Sequence, residues 1–358
     1  MTLRVAQIGT GNVGRHALAA LITHPDYELT GVWVSSDAKA GHDAGDLAGL
    51  DVHTGVQAVT DLDEILAAKP DCVVYTALAD HRLPEALEDY RRILAAGVNA
   101  VGTGPVFLQY PWDVIPDELI TPLTDAMAAG GSSLFVGGID PGFANDVLPL
   151  ALAGNCQSIE QVRCMEIVDY ATYDSATVMF DVMGFGRPLD ELPLLLMPGV
   201  LSMAWGSVVR QLAAGLGLTL DGLEEMYLRE PAPADFDIAA GHIPAGSAAA
   251  LRFEVIGLVD GAPAVVLEHV TRLREDLCPH WPQPAQPGGS YRIEITGEPS
   301  YALDLCLGST RGDHNHAGPV ATAMRVVNAI PAVVAAEPGL RTTLDLPLIA
   351  GVGRYAAP

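Results

Sequence analysis

The residues best placed to do chemistry begin at Gly9-Thr10-Gly11-Asn12-Val13-Gly14, between the apolar run Leu3–Ile8 and the helical pattern Arg15–Thr23. Three glycines at this spacing serve three purposes. Gly9 permits a tight turn, Gly11 lets a pyrophosphate approach the backbone, and Gly14 lets the helix pack on the strand; the free N–H groups of the helix start then favour the phosphates. Thr10, Asn12 and Val13 fill out the cradle. The next strand, Tyr27–Ser35, ends in Ser35 and Ser36 with Lys39 close behind. An acid at this strand end would bond a ribose 2′-hydroxyl, whereas small hydroxyls and a lysine suit a 2′-phosphate. The expected cofactor is therefore NADP. Asp37 keeps NAD open, and Lys39 as a plain solvated loop residue is the competing account. Thr76 and Ala77, ending the strand Asp71–Thr76, and Thr103 and Gly104, after the strand Asn99–Gly102, are expected along the nicotinamide half of the dinucleotide.

A hydride acceptor also needs a proton donor. The candidates are Asp140, His269, Tyr170, Tyr173, His81 and the pair His314/His316. Asp140 follows a strand in a βα crevice; it would also serve as a turn or capping residue ahead of Pro141. His269 shares one strand face with Leu267 and Thr271 by the period of two, and a structural sheet histidine is the alternative. His81 doubles as an exposed helix-start residue. An HxH pair with Asp313 nearby has no other ligand-type residues in sequence, so no metal site is expected. Arg163 and Arg187 could hold a substrate carboxylate, against an ordinary exposed role.

The elements that must position these residues follow from pattern. Alternating strands and helices up to Ser133–Val136 give a doubly wound parallel sheet of Rossmann type, residues 1–142. From 143 to 315 the pattern becomes an α+β substrate and dimerisation domain on an open, mixed, mostly antiparallel sheet. Its strands are expected at Ile159–Tyr170, Ala250–Val259, Ala264–Arg274, Tyr291–Thr296 and Tyr301–Leu307, with a hairpin turn at Asp260-Gly261. Helices are expected around Ser175–Met183 and Leu201–Leu216. A last helix, Pro319–Ala335, ended or kinked by Pro331, returns with the tail (316–358) to the first domain. An open sheet face of this kind commonly packs on a second copy, so a homodimer is expected.

The 358 residues carry 19 basic against 44 acidic side chains, a formal charge of −25. That balance argues against nucleic acid and anionic membrane surfaces as partners. Five widely spaced cysteines without a CxxC pair read as free thiols in a reducing cytosol. The most membrane-like stretch, Leu192–Leu220, is broken by Pro193, Pro198 and Arg210, and reads as a loop and core helix.

Several segments share one further pattern: Gly9–Gly14, Gly41-His42-Asp43-Ala44-Gly45-Asp46-Leu47, Gly138-Ile139-Asp140-Pro141-Gly142-Phe143, Met183-Gly184-Phe185-Gly186, and Val327-Asn328-Ala329-Ile330-Pro331 with Pro338-Gly339-Leu340 and Asp345-Leu346-Pro347. Together they resemble the 2,4-diaminopentanoate dehydrogenase and native amine dehydrogenase family, with a dihydrodipicolinate-reductase-like N-terminal domain. The resemblance implies an NAD(P)-dependent homodimeric enzyme that interconverts an amine with a small ketone or aldehyde, with ammonia as a candidate co-substrate. Among the proton-donor candidates, Asp140, His269 and Tyr173 are the expected catalytic residues. Pro105, Phe143, Tyr170, Met179 and His314 become pocket residues, with Met183 and Phe185 as further apolar lining unless they are core. Two departures stand out. The loop Thr103–Pro111 contains no acid where the family carries a proton-handling glutamate, and Asp140 replaces the usual Asn. Carbonyl reduction without amination, or a cofactor-bound binding protein, therefore stay open beside amine chemistry.

Overall fold

The computed structural model describes residues 2–79 and 82–355, so His81 lies outside the described residues. In chain order the elements are β1 (Leu3–Ile8), α1 (Gly14–Thr23), β2 (Tyr27–Trp33), α2 (Ala44–Ala48), β3 (Ala58–Val59), α3 (Leu62–Ala67), β4 (Cys72–Tyr75), α4 (Leu83–Ala95), β5 (Asn99–Gly102), α5 (Asp117–Gly130), β6 (Ser133–Val136), α6 (Val147–Ala153) and β7 (Ser158–Asp169). There follow α7 (Val200–Ala204), α8 (Gly206–Gly215), β8 (Gly222–Pro231), β9 (Phe236–Ile238), β10 (Gly241–Ile243), β11 (Ala248–Val259), β12 (Ala262–Arg272), β13 (Gly289–Glu298), β14 (Tyr301–Leu305), α9 (His314–Val327), α10 (Ile330–Val334) and β15 (Gly339–Arg341). The chain divides into two units, one built from residues up to Ile139 and from Pro319 on, the other from Asp140–Gly318.

Strands apolar on both faces are stable only inside a covered parallel sheet. The first unit has one, in the order β15-β6-β5-β4-β1-β2-β3, parallel throughout. Val5, Ala6, Val73 and Val74 are fully buried in it. One face is covered by α1 and by the returning segment, whose Ala323, Val326, Val327, Ile330 and Val333 recur at helical spacing and are sealed against the sheet. This run, His314–Val334, is long and apolar enough to cross a membrane by length and composition alone. Its apolar stripe is instead occupied by the sheet core. Two details differ from the sequence reading. The helix begins at His314 and carries Pro319 inside it, and the break falls at 328–329, with Pro331 in the first turn of α10. There a missing N–H costs nothing, because first-turn donors have no intrahelical partner.

The segment Gly41–Leu47 is organised by one carboxylate. Asp43 caps α2 by accepting from Gly45 N (2.8 Å) and gathers Thr54 N (3.0 Å) and Gly55 N (2.8 Å). The Thr54 amide above all pulls its pKa down to about 2.

The second unit is a six-stranded sheet, β14-β13-β7-β12-β11-β8, antiparallel except for the parallel pair β7–β12. One face carries the core, including Val162, Cys164, Leu251, Phe253, Val255, Leu267 and Ile293, packed under α8. The edge strand β8 and the β9–β10 hairpin were not expected from sequence: β8 reads Gly-Leu-Glu-Glu-Met-Tyr-Leu-Arg-Glu-Pro, and Met226, Tyr227 and Leu228 stay about half exposed. The expected helix at Ser175–Met183 is a single π-type turn, Thr177–Val182, and Leu201–Leu216 is split into α7 and α8 at Trp205.

The glycines of the first loop separate into two kinds. Gly9 has φ +88°, and a Cβ there would stand 2.6 Å from Ala77 N; a Cβ on Gly14 would collide with Gly9 O and stand 2.6 Å from Thr76 Oγ1. A Cβ on Gly11 would meet nothing within 4 Å. Gly14→Ala should therefore lower stability by about 1–3 kcal/mol through overpacking, read as a fall in the thermal midpoint. Gly11→Ala should leave the midpoint unchanged; equal losses in both would show that backbone freedom, not space, decides.

Candidate active site

Strand register brings together residues that the sequence scatters between Glu166 and Tyr291. In the second sheet Phe253 of β11 lies opposite His269 of β12, His269 opposite Glu166 of β7, and Glu166 opposite Tyr291 of β13. This row shares its face with the core residues Leu251, Leu267, Cys164 and Ile293 two positions along each strand, so it extends the apolar face with polar groups. His269 Nε2 meets Glu166 Oε2 at 2.7 Å and its Nδ1 meets Thr271 Oγ1 at 2.7 Å. Phe253 stacks on the imidazole with centroids 5.1 Å apart and planes within 9°. Tyr170 donates to Glu166 Oε1 (3.3 Å), and the Tyr291 hydroxyl bonds the same carboxylate.

Asp140 joins this cluster from the start of the unit. Trp205 Nε1 donates to its Oδ1 at 3.1 Å, Asn145 bonds it as well, and the Trp205 ring packs on Phe253 (4.8 Å) and His269 (6.0 Å). Burial, then the nearby Glu166 charge, push the Asp140 carboxyl up to about 7. Burial alone would raise Glu166 too, but the His269 imidazole holds it below the usual carboxylate range. For His269 burial pulls down, while the Glu166 charge and hydrogen bond win and raise it. The two shifts favour the charged forms of Glu166 and His269 as a pair, beside a carboxyl pushed up to about 7. Two carboxyls held at well-separated pKa values are the mark of acid–base assignment.

The remaining candidates fall out as follows. Tyr173 is half-buried and stacks on Tyr170 with centroids 5.2 Å apart. Phe143 is half-buried, whereas Met179, Met183 and Phe185 are core residues, Met179 fully enclosed. His314 is 4% exposed and lies against Tyr291, centroids 5.4 Å apart. His316 does not join it, because residues two apart on a helix face different ways. Among the described residues no group of three or more His, Cys, Asp or Glu side chains is placed to hold a metal ion. The arginines considered for a substrate carboxylate are both committed: Arg163 pairs with Glu254 (3.0 Å) and Glu268, and Arg187 with Asp181 (2.7 Å).

Glu166, Trp205, Phe253 and Tyr291 of this cluster were not singled out in the sequence. Glu166 had a signal, an acid at the position where β7 alternates Val162, Cys164, Glu166, Val168 on its apolar face. Trp205 had none.

In the first unit the loop and its neighbours form a cradle. Gln7, fully buried, donates from Nε2 to Gly9 O (2.8 Å) and Thr76 Oγ1 (2.7 Å), and Thr76 donates to Gly9 O (3.0 Å). Thr76 thus holds the loop from below while Ala77 abuts Gly9. Gly11 and Asn12 are exposed, and the open space over Gly11 is what a pyrophosphate requires. Ser35 and Ser36 are exposed past β2, and Lys39 Nζ returns to Thr10 O (3.0 Å) and Thr10 Oγ1 (3.2 Å). Thr103 and Gly104 are half-buried and Pro105 is buried; Tyr90 fixes this turn by donating to Gly104 O at 2.8 Å. These residues fit a dinucleotide.

Known proteins resemble the chain along almost all its length. Residues 143–356 match the family described as 2,4-diaminopentanoate dehydrogenase C-terminal domain, and 3–103 match dihydrodipicolinate reductase, N-terminus. An amine dehydrogenase of Streptomyces virginiae is 42% identical over 97% of this chain and 96% of its own. A 2,4-diaminopentanoate dehydrogenase of Acetoanaerobium sticklandii is 23% identical over 80% of this chain and 77% of its own. The solved amine dehydrogenase of Mycobacterium smegmatis shares the fold with a TM-score of 0.79 at 22% identity, covering 99% of each chain. The chain belongs to the 2,4-diaminopentanoate dehydrogenase and amine dehydrogenase family and is an NAD(P)-dependent oxidoreductase.

Proposed function

We propose that this oxidoreductase converts a small ketone or aldehyde and ammonia into the primary amine, and runs the reverse reaction, with Asp140 and His269 moving the protons. The observation that carries the reading is the Glu166–His269 pair (2.7 Å) beside an Asp140 whose carboxyl titrates at about 7. The loop Thr103–Pro111 holds no acid, so the proton must come from elsewhere, and this cluster supplies it. Bound on the glycine loop, the reduced nicotinamide supplies the hydride. Protonated Asp140 gives its proton to the oxygen that leaves as water when the carbonyl condenses with ammonia. His269, kept cationic by Glu166, stabilises the charge that builds beside it and returns protons to the site. Tyr173 and Tyr170 form an aromatic wall, with Phe143 and His314 as further pocket residues. Arg163 and Arg187 are spent on protein carboxylates, which favours a substrate without one.

The cofactor in this reading is NADP, with NAD as the alternative that Asp37 keeps open. Exposed Ser35 and Ser36, and a lysine folded onto Thr10, offer hydroxyls and a cation at the ribose corner. The working form is a homodimer paired on the open sheet face, where Arg163, Arg252, Glu254 and Glu268 make a self-complementary, net-neutral network.

Oxidation of NADPH and NADH with a panel of small ketones and aldehydes, with and without ammonium, tests the reading. Turnover should depend on ammonium; equal turnover in its absence would make the chain a carbonyl reductase instead. Lys39→Ala should raise the KM for NADPH about tenfold, the cost of one charge-assisted contact, and barely move that for NADH. Asp140 gives a pH test with a fixed sign. Its folded pKa of about 7 lies above the unfolded 3.8, so its contribution to stability is complete below 3.8 and is lost as pH climbs through 7. Asp140→Asn should raise the melting midpoint at pH 8, with the gain shrinking to nothing near pH 4. The same variant should abolish the fall in reductive rate above neutrality; a limb that persists near pH 7 assigns it to another group.

A further inference from the structure

Of the buried polar side chains in the second unit, His314 has the least accounted for. It is 4% exposed, yet among the described residues neither Nδ1 nor Nε2 has a hydrogen-bond partner. Buried imidazoles are bonded through at least one nitrogen unless a site needs the other arrangement. The ring is nonetheless held firmly. It lies flat on Gly289, where φ is +154° and a Cβ would stand 2.8 Å from His314 Cδ2 and 3.1 Å from Nε2. Its other neighbour is Tyr291, whose hydroxyl bonds Glu166. The glycine pair Gly288-Gly289, otherwise an unremarked end to the Pro- and Gln-rich loop, is thus the seat of this imidazole. Asn315 beside it donates to Asp169 O (2.7 Å) and Thr172 Oγ1 (2.8 Å) and leaves its Oδ1 without a partner.

The surroundings decide what such a ring can bind. Burial pushes its pKa below the ordinary histidine value, against the upward pull of Glu166 and Asp313. The ring is therefore neutral at pH 7 and keeps a lone pair. Two carboxylates nearby repel an anion and favour a cationic or N–H-donating ligand. We propose that His314 is the acceptor for the reacting nitrogen, taking one N–H of bound ammonia or of the alkylammonium product while the Glu166 carboxylate balances the charge. This rests on the amine reading above and adds the residue that distinguishes nitrogen from oxygen. A carbonyl oxygen has no N–H to give, so the accepting nitrogen of His314 contributes to amine binding and not to carbonyl binding.

The test separates the two substrates. The KM for ammonium and the KM for the carbonyl are measured at saturating NADPH for wild type, His314→Leu, His314→Asn and His314→Gln, alongside melting midpoints. His314→Leu should raise the ammonium KM about tenfold or more, far beyond any change in the carbonyl KM that the altered pocket wall causes, and leave the melting midpoint unchanged. Either Asn, whose amide falls near Nδ1, or Gln, near Nε2, should recover most of the loss and so name the accepting nitrogen. An unchanged ammonium KM in His314→Leu, or a rise of both KM values together in all three variants, overturns the proposal. If wild type shows no ammonium-dependent turnover, the amine reading fails, and calorimetric titration of the NADP+-loaded protein with methylammonium chloride decides on His314 alone. Binding that wild type shows and His314→Leu lacks upholds the role; no binding, or equal binding, removes it.

Discussion

The second unit depends on one buried interaction, the contact of Glu166 with His269 across the parallel joint of its sheet. A lone carboxylate at a position as buried as this would be strongly disfavoured, and so would a lone imidazolium. Each makes the other tolerable, and the Tyr170 and Tyr291 hydroxyls use the remaining oxygen capacity of Glu166. Thr271 fixes the opposite ring nitrogen, so the imidazole cannot rotate away. The pair sits at the one place in the sheet where neighbouring strands run parallel, β7 against β12. A slip of one residue in that register would turn Glu166 to the other face and leave His269 unpaired. The buried residues that flank the row, Cys164 and Leu267 on one side and Val168 and Thr271 on the other, are what make such a slip costly.

The same logic governs the first unit with neutral groups. The glycine loop has to be flat enough for a phosphate to approach, and a flat glycine loop has little side-chain packing of its own. Gln7 and Thr76 supply what is missing from below, through three hydrogen bonds to the loop and each other. Gly14 is required because Thr76 Oγ1 and Gly9 O occupy the space where a side chain would go. The exposed atoms of the loop are thus backbone, and the ordering atoms are buried.

Much of this was legible in the sequence, for identifiable reasons. Rossmann strands announce themselves as short apolar runs, and GxGxxG is local in sequence, so Gly9 through Gly14 and Thr76 were placed correctly relative to their elements. Asp140 and His269 were visible as titratable residues, one just past a strand and one within a strand. What could not be read was their meeting, because the order of strands in a mixed sheet is set by long-range pairing. Nothing near position 166 points to position 269. Glu166 was overlooked because an acid inside an apolar strand is usually the solvent-facing member of the alternation, and only parity with Val162 and Cys164 places it inward. Trp205 was read as part of an apolar helix, when its indole N–H is what holds Asp140. The edge strand β8 failed for the complementary reason: half-exposed on both faces, it lacks the clean period of two on which strand recognition rests.

A carboxyl on β7 is positioned by pairing on both sides, with β12 and with β13. Its charge is then felt by every titratable group in the row. That is why Asp140 titrates near 7 although it makes two hydrogen bonds that favour its charged form: burial and the fixed charge of Glu166 outweigh Trp205 and Asn145. Beside burial, the Glu166 charge acts on Asp140, His269 and His314 together, raising the first two and, for His314, opposing a burial effect that still prevails. The three groups are thus pushed in different directions: burial and Glu166 together raise Asp140, Glu166 overrides burial at His269, and burial overrides Glu166 at His314.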